Sequence, residues 1–254
     1  MIYITGDTHG SFGRLFSVKV FPAQRDMTKD DYVIICGDFG GIWDKDGESP
    51  GEKNWLDWFE SRNFTLLFVD GNHENFDRIY SYPVKEWKGG RVHEIRPSVL
   101  HLMRGQVFDI SGKKIFTFGG ASSHDISGGI LDRKDPDFKR KRSELNRGFK
   151  PYRILHESWW PQELPSEEEM AEGLANLEKH DFKVDYIITH CCSTSTQTFM
   201  DPEAVILKPD RATDYLEYIK THTEYEKWFF GHYHEDVEID EKETLLYNKM
   251  LRIV

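Results

Sequence analysis

Cysteine is scarce, long apolar runs are missing and positive charge is in deficit. The 254 residues hold three cysteines, Cys36, Cys191 and Cys192, of which two are adjacent and poorly placed to pair. This usage excludes a disulfide-framed miniprotein, matches no zinc-finger spacing and fits a reducing compartment. All three read as small buried hydrophobes. No apolar run approaches the roughly eighteen residues that cross a bilayer. The opening MIYITGDTHG enters a strand pattern with no charged leader, so the expected location is cytoplasmic, with no membrane partner. The 33 Lys and Arg against 44 Asp and Glu give a formal net charge of −11. A surface given over as a whole to gripping nucleic acid is thereby excluded, and nucleic acid stays open only as a substrate. Repeats, low-complexity tracts and domain-separating linkers are absent too, which leaves one domain over residues 1–254 as the expectation. The sequence is silent on oligomeric state.

What is present describes a globular α/β chain able to bury a large core. Short apolar runs, each followed by polar or glycine-rich text, read as buried strands: Ile2 to Ile4, Tyr32 to Cys36, Phe64 to Val69, Ile115 to Phe118, Val184 to Ile188 and Trp228 to Phe230. Three helices lie between them. One runs from about Ser166 to His180, opened by a Ser166/Glu169 capping box; a second covers Glu52 to Phe59; a third follows Pro209 with Ala212, Tyr215, Leu216 and Ile219 on one stripe. The segment from Arg91 to Phe118 has the spacing of antiparallel strands, so the layout is mixed rather than purely parallel. Between Arg133 and Arg153, nine basic residues face three acidic ones. This run marks a basic insertion or lid at about 121–165, read either as a solvated face or as a lid turned towards phosphate.

The chemistry gathers at strand ends. Asp7 and His9 follow the first strand, Asp38 the second, Asn72 and His73 the third, His190 ends another, and His232 with His234 follow the last. Carboxylate, amide oxygen and imidazole are the donor set of divalent transition metals, and ligands of α/β sheets collect at the carboxyl ends of strands. Singly, the Asp and Asn residues read equally well as turn formers; together with four histidines at matching places they read as ligands.

Gly6-Asp7-Thr8-His9-Gly10, Gly37-Asp38, Gly71-Asn72-His73-Glu74, Thr189-His190 and Gly231-His232-Tyr233-His234 resemble the five ordered motifs of the calcineurin-like metallophosphoesterases. The resemblance implies a four-layer fold, two packed mixed β-sheets flanked by helices, with a two-metal centre at one edge. It implies that Asp7, His9 and His234 hold one ion, that Asn72, His190 and His232 hold the other, and that Asp38 bridges them. The implied ions are divalent or trivalent transition metals, Mn, Fe or Zn. His73 is the implied non-ligand, assisting the leaving group while a hydroxide bridging the ions attacks a phosphate ester. The substrate class stays open among phosphomonoesters, phosphodiesters and nucleotides; the alternative is a non-catalytic binding module or scaffold on the same fold.

The sequence departs from the family where many relatives carry an Asp and an Arg shortly after the bridging carboxylate. Gly41 and Ile42 stand there instead. The orienting partner of His73 is then sought in Asp44 or Asp70, and a substitute phosphate-binding charge in Arg14. His124, in the glycine-serine loop Gly119 to Asp125, is either a second substrate-facing residue or part of a polar turn. His93, His101, His156, His180 and His222 lie outside any motif and read as structural, and Trp159 and Trp160 as packing anchors.

Overall fold

The computed structural model describes residues 1–203 and 207–254. The first part runs β1 (Ile2–Thr5), α1 (Gly13–Phe16), β2 (Tyr32–Ile35), α2 (Pro50–Glu60), β3 (Thr65–Phe68) and α3 (Phe76–Ile79). Five strands follow, β4 (Val84–Trp87), β5 (Gly90–Arg96), β6 (Val99–Leu102), β7 (Gln106–Ile110) and β8 (Lys113–Phe118). The insertion carries β9 (Ile130–Leu131), α4 (Phe138–Arg147) and β10 (Arg153–Ile154), and leads to α5 (Glu167–Glu178) and β11 (Tyr186–Thr189). The chain closes with α6 (Thr194–Met200), α7 (Arg211–His222), β12 (Lys227–Phe230), β13 (Val237–Glu238), β14 (Glu243–Leu245) and β15 (Met250–Arg252).

Two mixed sheets result. The larger has the order β15-β1-β2-β3-β6-β5-β4 and the smaller β13-β14-β12-β11-β8-β7. In the larger, β1, β2, β3 and β6 are parallel, with Ile4, Ile34, Leu67 and Leu100 in one register row. Alternation along each strand then builds the layers. Ile34 and Leu67 point between the sheets and pack with Phe108, Ile115, Ile188 and Phe229 of the smaller sheet. Their neighbours Val33, Ile35, Leu66 and Phe68 face outward under Leu56 and Phe59 of α2. On the far side, Phe116, Ile187 and Trp228 pack beneath Leu177 of α5 and Leu216 and Ile219 of α7. The order is therefore helices, sheet, sheet, helices. Because the central strands are covered on both faces, truncating one such side chain, as in Leu67→Ala, removes about 2–5 kcal/mol of packing.

Helix boundaries follow local chemistry. Ser49 and Glu52 form a capping box with Pro50 in the first turn of α2, and Ser166 with Glu169 does the same for α5. The Arg91 to Phe118 segment is antiparallel in two separate pairs: β5 with β6 in the larger sheet, and β7 with β8 in the smaller. The chain changes sheets at Gly105, whose φ of +71° and close approach to the Gly173 backbone leave no room for a side chain.

Candidate metal centre

The carboxyl ends of β1, β2 and β3 meet those of β11 and β12 because the turns after them bond to one another. Thr8 and His9 N–H donate to the Asp38 carbonyl at 3.2 and 2.8 Å. Asp38 Oδ1 accepts the His73 N–H at 2.7 Å, and Glu74 Oε1 accepts that of Phe39 at 2.7 Å. Gly231 N–H reaches the His190 carbonyl at 2.9 Å, and His232 N–H donates to Asp7 Oδ1 at 2.9 Å, which closes the ring across the two sheets. A Cβ on Gly71 would collide with Asp38 Oδ1, and one on Gly231 with Asp7 Oδ1. Four residues of the cluster sit in the left-handed region, His9 (φ 45°), Asp38 (46°), His232 (73°) and His234 (56°). Such backbone costs on the order of 1–3 kcal/mol each, and it concentrates where a side chain must be aimed.

One half of the cluster consists of Asp7, His9, Asp38 and His234, each offering a ligand atom within 4.8 Å of the others. His9 Nε2 stands 2.9 Å from His234 Nε2 and 3.6 Å from Asp38 Oδ2. Burial would raise the Asp7 pKa, but the bond from His234, the charge of His190 and the His232 N–H outweigh it and hold the carboxyl low. His234 is raised in return by that bond. Burial takes His9 down to about 4, the neutral form with a free lone pair. Asp38 is raised, chiefly by burial.

The other half holds Asn72, His190 and His232. His190 Nδ1 lies 2.7 Å from the Cys36 carbonyl, which requires an N–H there and, in the neutral ring, makes Nε2 the acceptor. That Nε2 faces Asn72 Oδ1 at 3.1 Å and Asp38 Oδ1 at 3.5 Å. Asp38 thus turns one oxygen to each half. The Asn72 amide is aimed by a relay: its Nδ2 donates to Ser123 Oγ at 3.2 Å, and Ser123 Oγ donates to Glu163 Oε1 at 2.8 Å. Burial, against these bonds, pushes the Glu163 carboxyl up to about 8. His232 is half-buried and held well below its ordinary pKa, first by desolvation and then by the neighbouring histidines. His124 Nε2 lies 2.9 Å from His232 Nε2, so the glycine-serine loop does reach the cluster.

His73 stands beside the cluster, its ring centroid 5.2 Å from that of His9 and 6.3 Å from Trp43. Its Nε2 lies 3.3 Å from Arg153 Nη2, and Arg153 is in turn gripped by Asp125 at 3.1 and 2.6 Å. Desolvation lowers the His73 pKa; Asp38 opposes this and Arg153 adds to it. The residues expected to orient His73 are occupied elsewhere. Asp70 is buried against Arg104, with Nε at 2.8 Å, and accepts from His101 Nε2 at 3.0 Å. Asp44 is exposed, and its carbonyl receives Arg78 at 2.9 Å. Arg14 turns its donors to the chain itself, to the Asp7 carbonyl at 2.6 Å and to Asn248, with its guanidinium over the Tyr247 ring. His9, Gly40, Gly41, Trp43, Asp44, Trp55 and His73 line a cavity of about 420 Å³ beside the cluster.

Part of the basic run is answered by local acids: Arg133 pairs with Glu157, Arg140 with Asp137 and Glu144, and Lys141 with Asp135. Trp160 is fully buried, its Nε1 on Asp77 at 2.8 Å, where His156 also bonds. His93 and His101 form a buried pair on Asp70. The three cysteines are buried and free, their thiols raised by desolvation. Sequence reasoning missed Ser123, Glu163, Asp125 and the individual role of Arg153. The loop containing Ser123 and Asp125 carried a signal; nothing in the sequence singled out Glu163.

The model of the calcineurin-like phosphoesterases matches residues 1–236. The chain belongs to this family. As a calcineurin-like phosphoesterase it is a metal-dependent hydrolase of phosphoric ester bonds, and its Asp and His cluster is of a kind that can bind metal. Among solved structures, phosphopantetheinyl hydrolase (PptH) from Mycobacterium tuberculosis is similar, with a TM-score of 0.41 and 14% identity, over 97% of this chain and 87% of that one. No curated protein matches. Among the described residues no helix is long and apolar enough to cross a membrane.

Proposed function

We propose that this phosphoesterase cleaves a phosphomonoester, a phosphodiester or a nucleotide with two transition-metal ions, Mn, Fe or Zn, within a single domain. In this reading Asp7, His9 and His234 hold one ion, Asn72, His190 and His232 the other, and Asp38 both. One observation carries it. In its neutral form His190, with Nδ1 committed to Cys36, turns the Nε2 lone pair onto Asn72 Oδ1 at 3.1 Å, while the Asn72 N–H is committed to Ser123. Two lone pairs at that distance repel unless a cation lies between them. The same logic fits the other half, where burial keeps His9 neutral opposite two carboxylates.

When bound, such ions supply Lewis acidity, acidifying water and neutralising charge on phosphoryl oxygens. The remaining work falls to the chain. His73 lies at the mouth of the cavity lined by Trp43 and Trp55, where it meets the departing oxygen and donates to it. Its backbone N–H on Asp38 fixes its position relative to both halves. The indoles and the bare backbone of Gly40 and Gly41 shape the space for the leaving group and exclude water around it.

The test pairs elemental analysis with a manganese-supplemented panel of monoesters, diesters and nucleotides. About two ions per chain and turnover of at least one ester are expected. Asp38→Ala should lose most of both ions, since one carboxylate serves both positions. A metal-loaded protein inert on every ester would favour the binding-module reading, and an Asp38→Ala variant still holding two ions would overturn the assignment of ligands.

A further inference from the structure

The position that carries a phosphate-binding Arg in many relatives holds Ile42, whose side chain is buried in the apolar cluster beneath α2. A side-chain cation for a phosphoryl group, beside whatever bound ions would supply, must then come from elsewhere in the chain. Two guanidiniums lie at the cluster. Arg14 is spent on the carbonyls of Asp7 and Tyr247 and on Asn248. Arg153 is placed differently. It opens β10, which pairs in parallel with β9, and its side chain is 14% exposed. Nε and Nη2 make a two-pronged pair with Asp125, while Nη2 also reaches His73 Nε2 at 3.3 Å. Nη1 donates to no partner among the described residues.

From this geometry we infer that Arg153 is the substrate's anion-binding residue, delivered to the metal cluster by the basic insertion and aimed by Asp125. The inference rests on the phosphoesterase reading above and names a contact for its substrate, a phosphoryl oxyanion beside His73. Three observations support it. An ion pair serving stability alone gains nothing by drawing the guanidinium past a half-exposed Asp125 to the ring of His73. The fork that binds Asp125 through Nε and Nη2 and reaches His73 with the second N–H of Nη2 leaves both N–H groups of Nη1 for phosphoryl oxygen, a division of five fixed donors that Lys does not offer. The platform is rigid: Leu155 N–H bonds to Leu131, while Trp160 and His156 anchor the following turn on Asp77 of α3. Asp125 adjoins His124, so one short loop touches His232 and holds Arg153 as well.

The experiment titrates inorganic phosphate into manganese-loaded protein freed of excess metal, for wild type, Arg153→Ala, Arg153→Lys and Lys139→Ala. Arg153→Ala should bind phosphate roughly ten- to a hundred-fold more weakly, the range of a charge-assisted hydrogen-bond pair, with its metal content unchanged. Arg153→Lys should recover part of the loss, free guanidinium ion should restore binding to Arg153→Ala, and Lys139→Ala, on the exposed face of α4, should match wild type. Phosphate binding by Arg153→Ala equal to wild type would overturn the inference, as would a loss that guanidinium does not repair. Because binding is read directly, the result stands even if wild type hydrolyses no ester offered, an outcome that would instead count against the phosphoesterase reading.

Discussion

Replacing Ser123 by Ala should cost the protein one metal ion and not the other. The hydroxyl of Ser123 accepts from Asn72 Nδ2 at 3.2 Å and donates to the buried Glu163 carboxyl at 2.8 Å. Without it the Asn72 amide has nothing to distinguish its oxygen from its nitrogen, and the amide is free to turn its N–H towards His190 and the cation position. Removing such an orienting partner typically lowers metal affinity by about 10–100-fold. Asn72 belongs to one half of the cluster only, and the other half keeps Asp7, His9, Asp38 and His234 untouched. Two buried groups also lose a partner, each worth roughly 1–3 kcal/mol, so the fold should be weakened but retained. The assay is a chelator titration of the manganese-loaded protein with ions counted by elemental analysis at each step. The variant should pass through a plateau near one ion per chain, and excess manganese should restore turnover. Ions leaving together, or both retained as in wild type, would refute the relay from Glu163 to Asn72.

Two further outcomes are expected. His73→Asn should keep its metals yet lose turnover, more for a poor alkoxide leaving group than for a nitrophenolate that departs unaided; equal losses would remove its leaving-group role and lost metal would make it a ligand. Glu163 ties stability to pH: burial raises its folded pKa from the ordinary 4.5 to about 8, so the folded state keeps a proton that the unfolded chain releases. Its contribution is full below about pH 4.5 and is lost as pH rises through about 8, a swing on the order of 5 kcal/mol that Glu163→Gln should abolish. Urea unfolding of both proteins across that range checks it, and a wild-type-minus-variant difference that does not change with pH would contradict it.

The strands were legible because each central one is covered on both faces and so reads as an unbroken apolar run, as Tyr32 to Cys36 does. The capping box at Ser166 was legible, since it depends on residues three apart; the one at Ser49 has the same spacing and was missed. The gathering of these side chains was legible for a related reason: each Asp, Asn and His of the motifs lies within a few residues of a strand end, and the family motifs preserve that local spacing. What escaped depends on contacts made far along the chain. Glu163 meets Ser123 across 40 positions, Arg153 meets His73 across 80, and His124 meets His232 across 108. No local pattern announces such partners. Asp70 misled for the same reason, being adjacent in sequence to Gly71 and Asn72 but facing Arg104 and His101 from another strand turn. The Arg91 to Phe118 strands were identifiable as antiparallel, whereas their division between two sheets turns on Gly105 packing against Gly173.

The basic run shows why net charge is a poor guide to what a surface does. Its excess of positive charge suggested a lid acting through long-range attraction, yet Arg140 and Lys141 are fully engaged with acids of their own segment, and Arg133 with Glu157. Exposed pairs of this kind contribute little energy and carry little field beyond a Debye length. Arg153 differs from them in location alone: one residue at the start of a two-residue strand, nearly buried, beside His73. Charge matters to chemistry where desolvation stops water from screening it, so a single placed guanidinium outweighs the surface cations around it. The turns that carry the Asp and His cluster, held by strand ends and strained backbone, belong to the layered fold; the insertion is joined to them through Asp77, which bonds His156 and Trp160, and through Arg153 at His73. Changes in substrate preference should therefore arise in the insertion and leave the metal positions where the sheets put them.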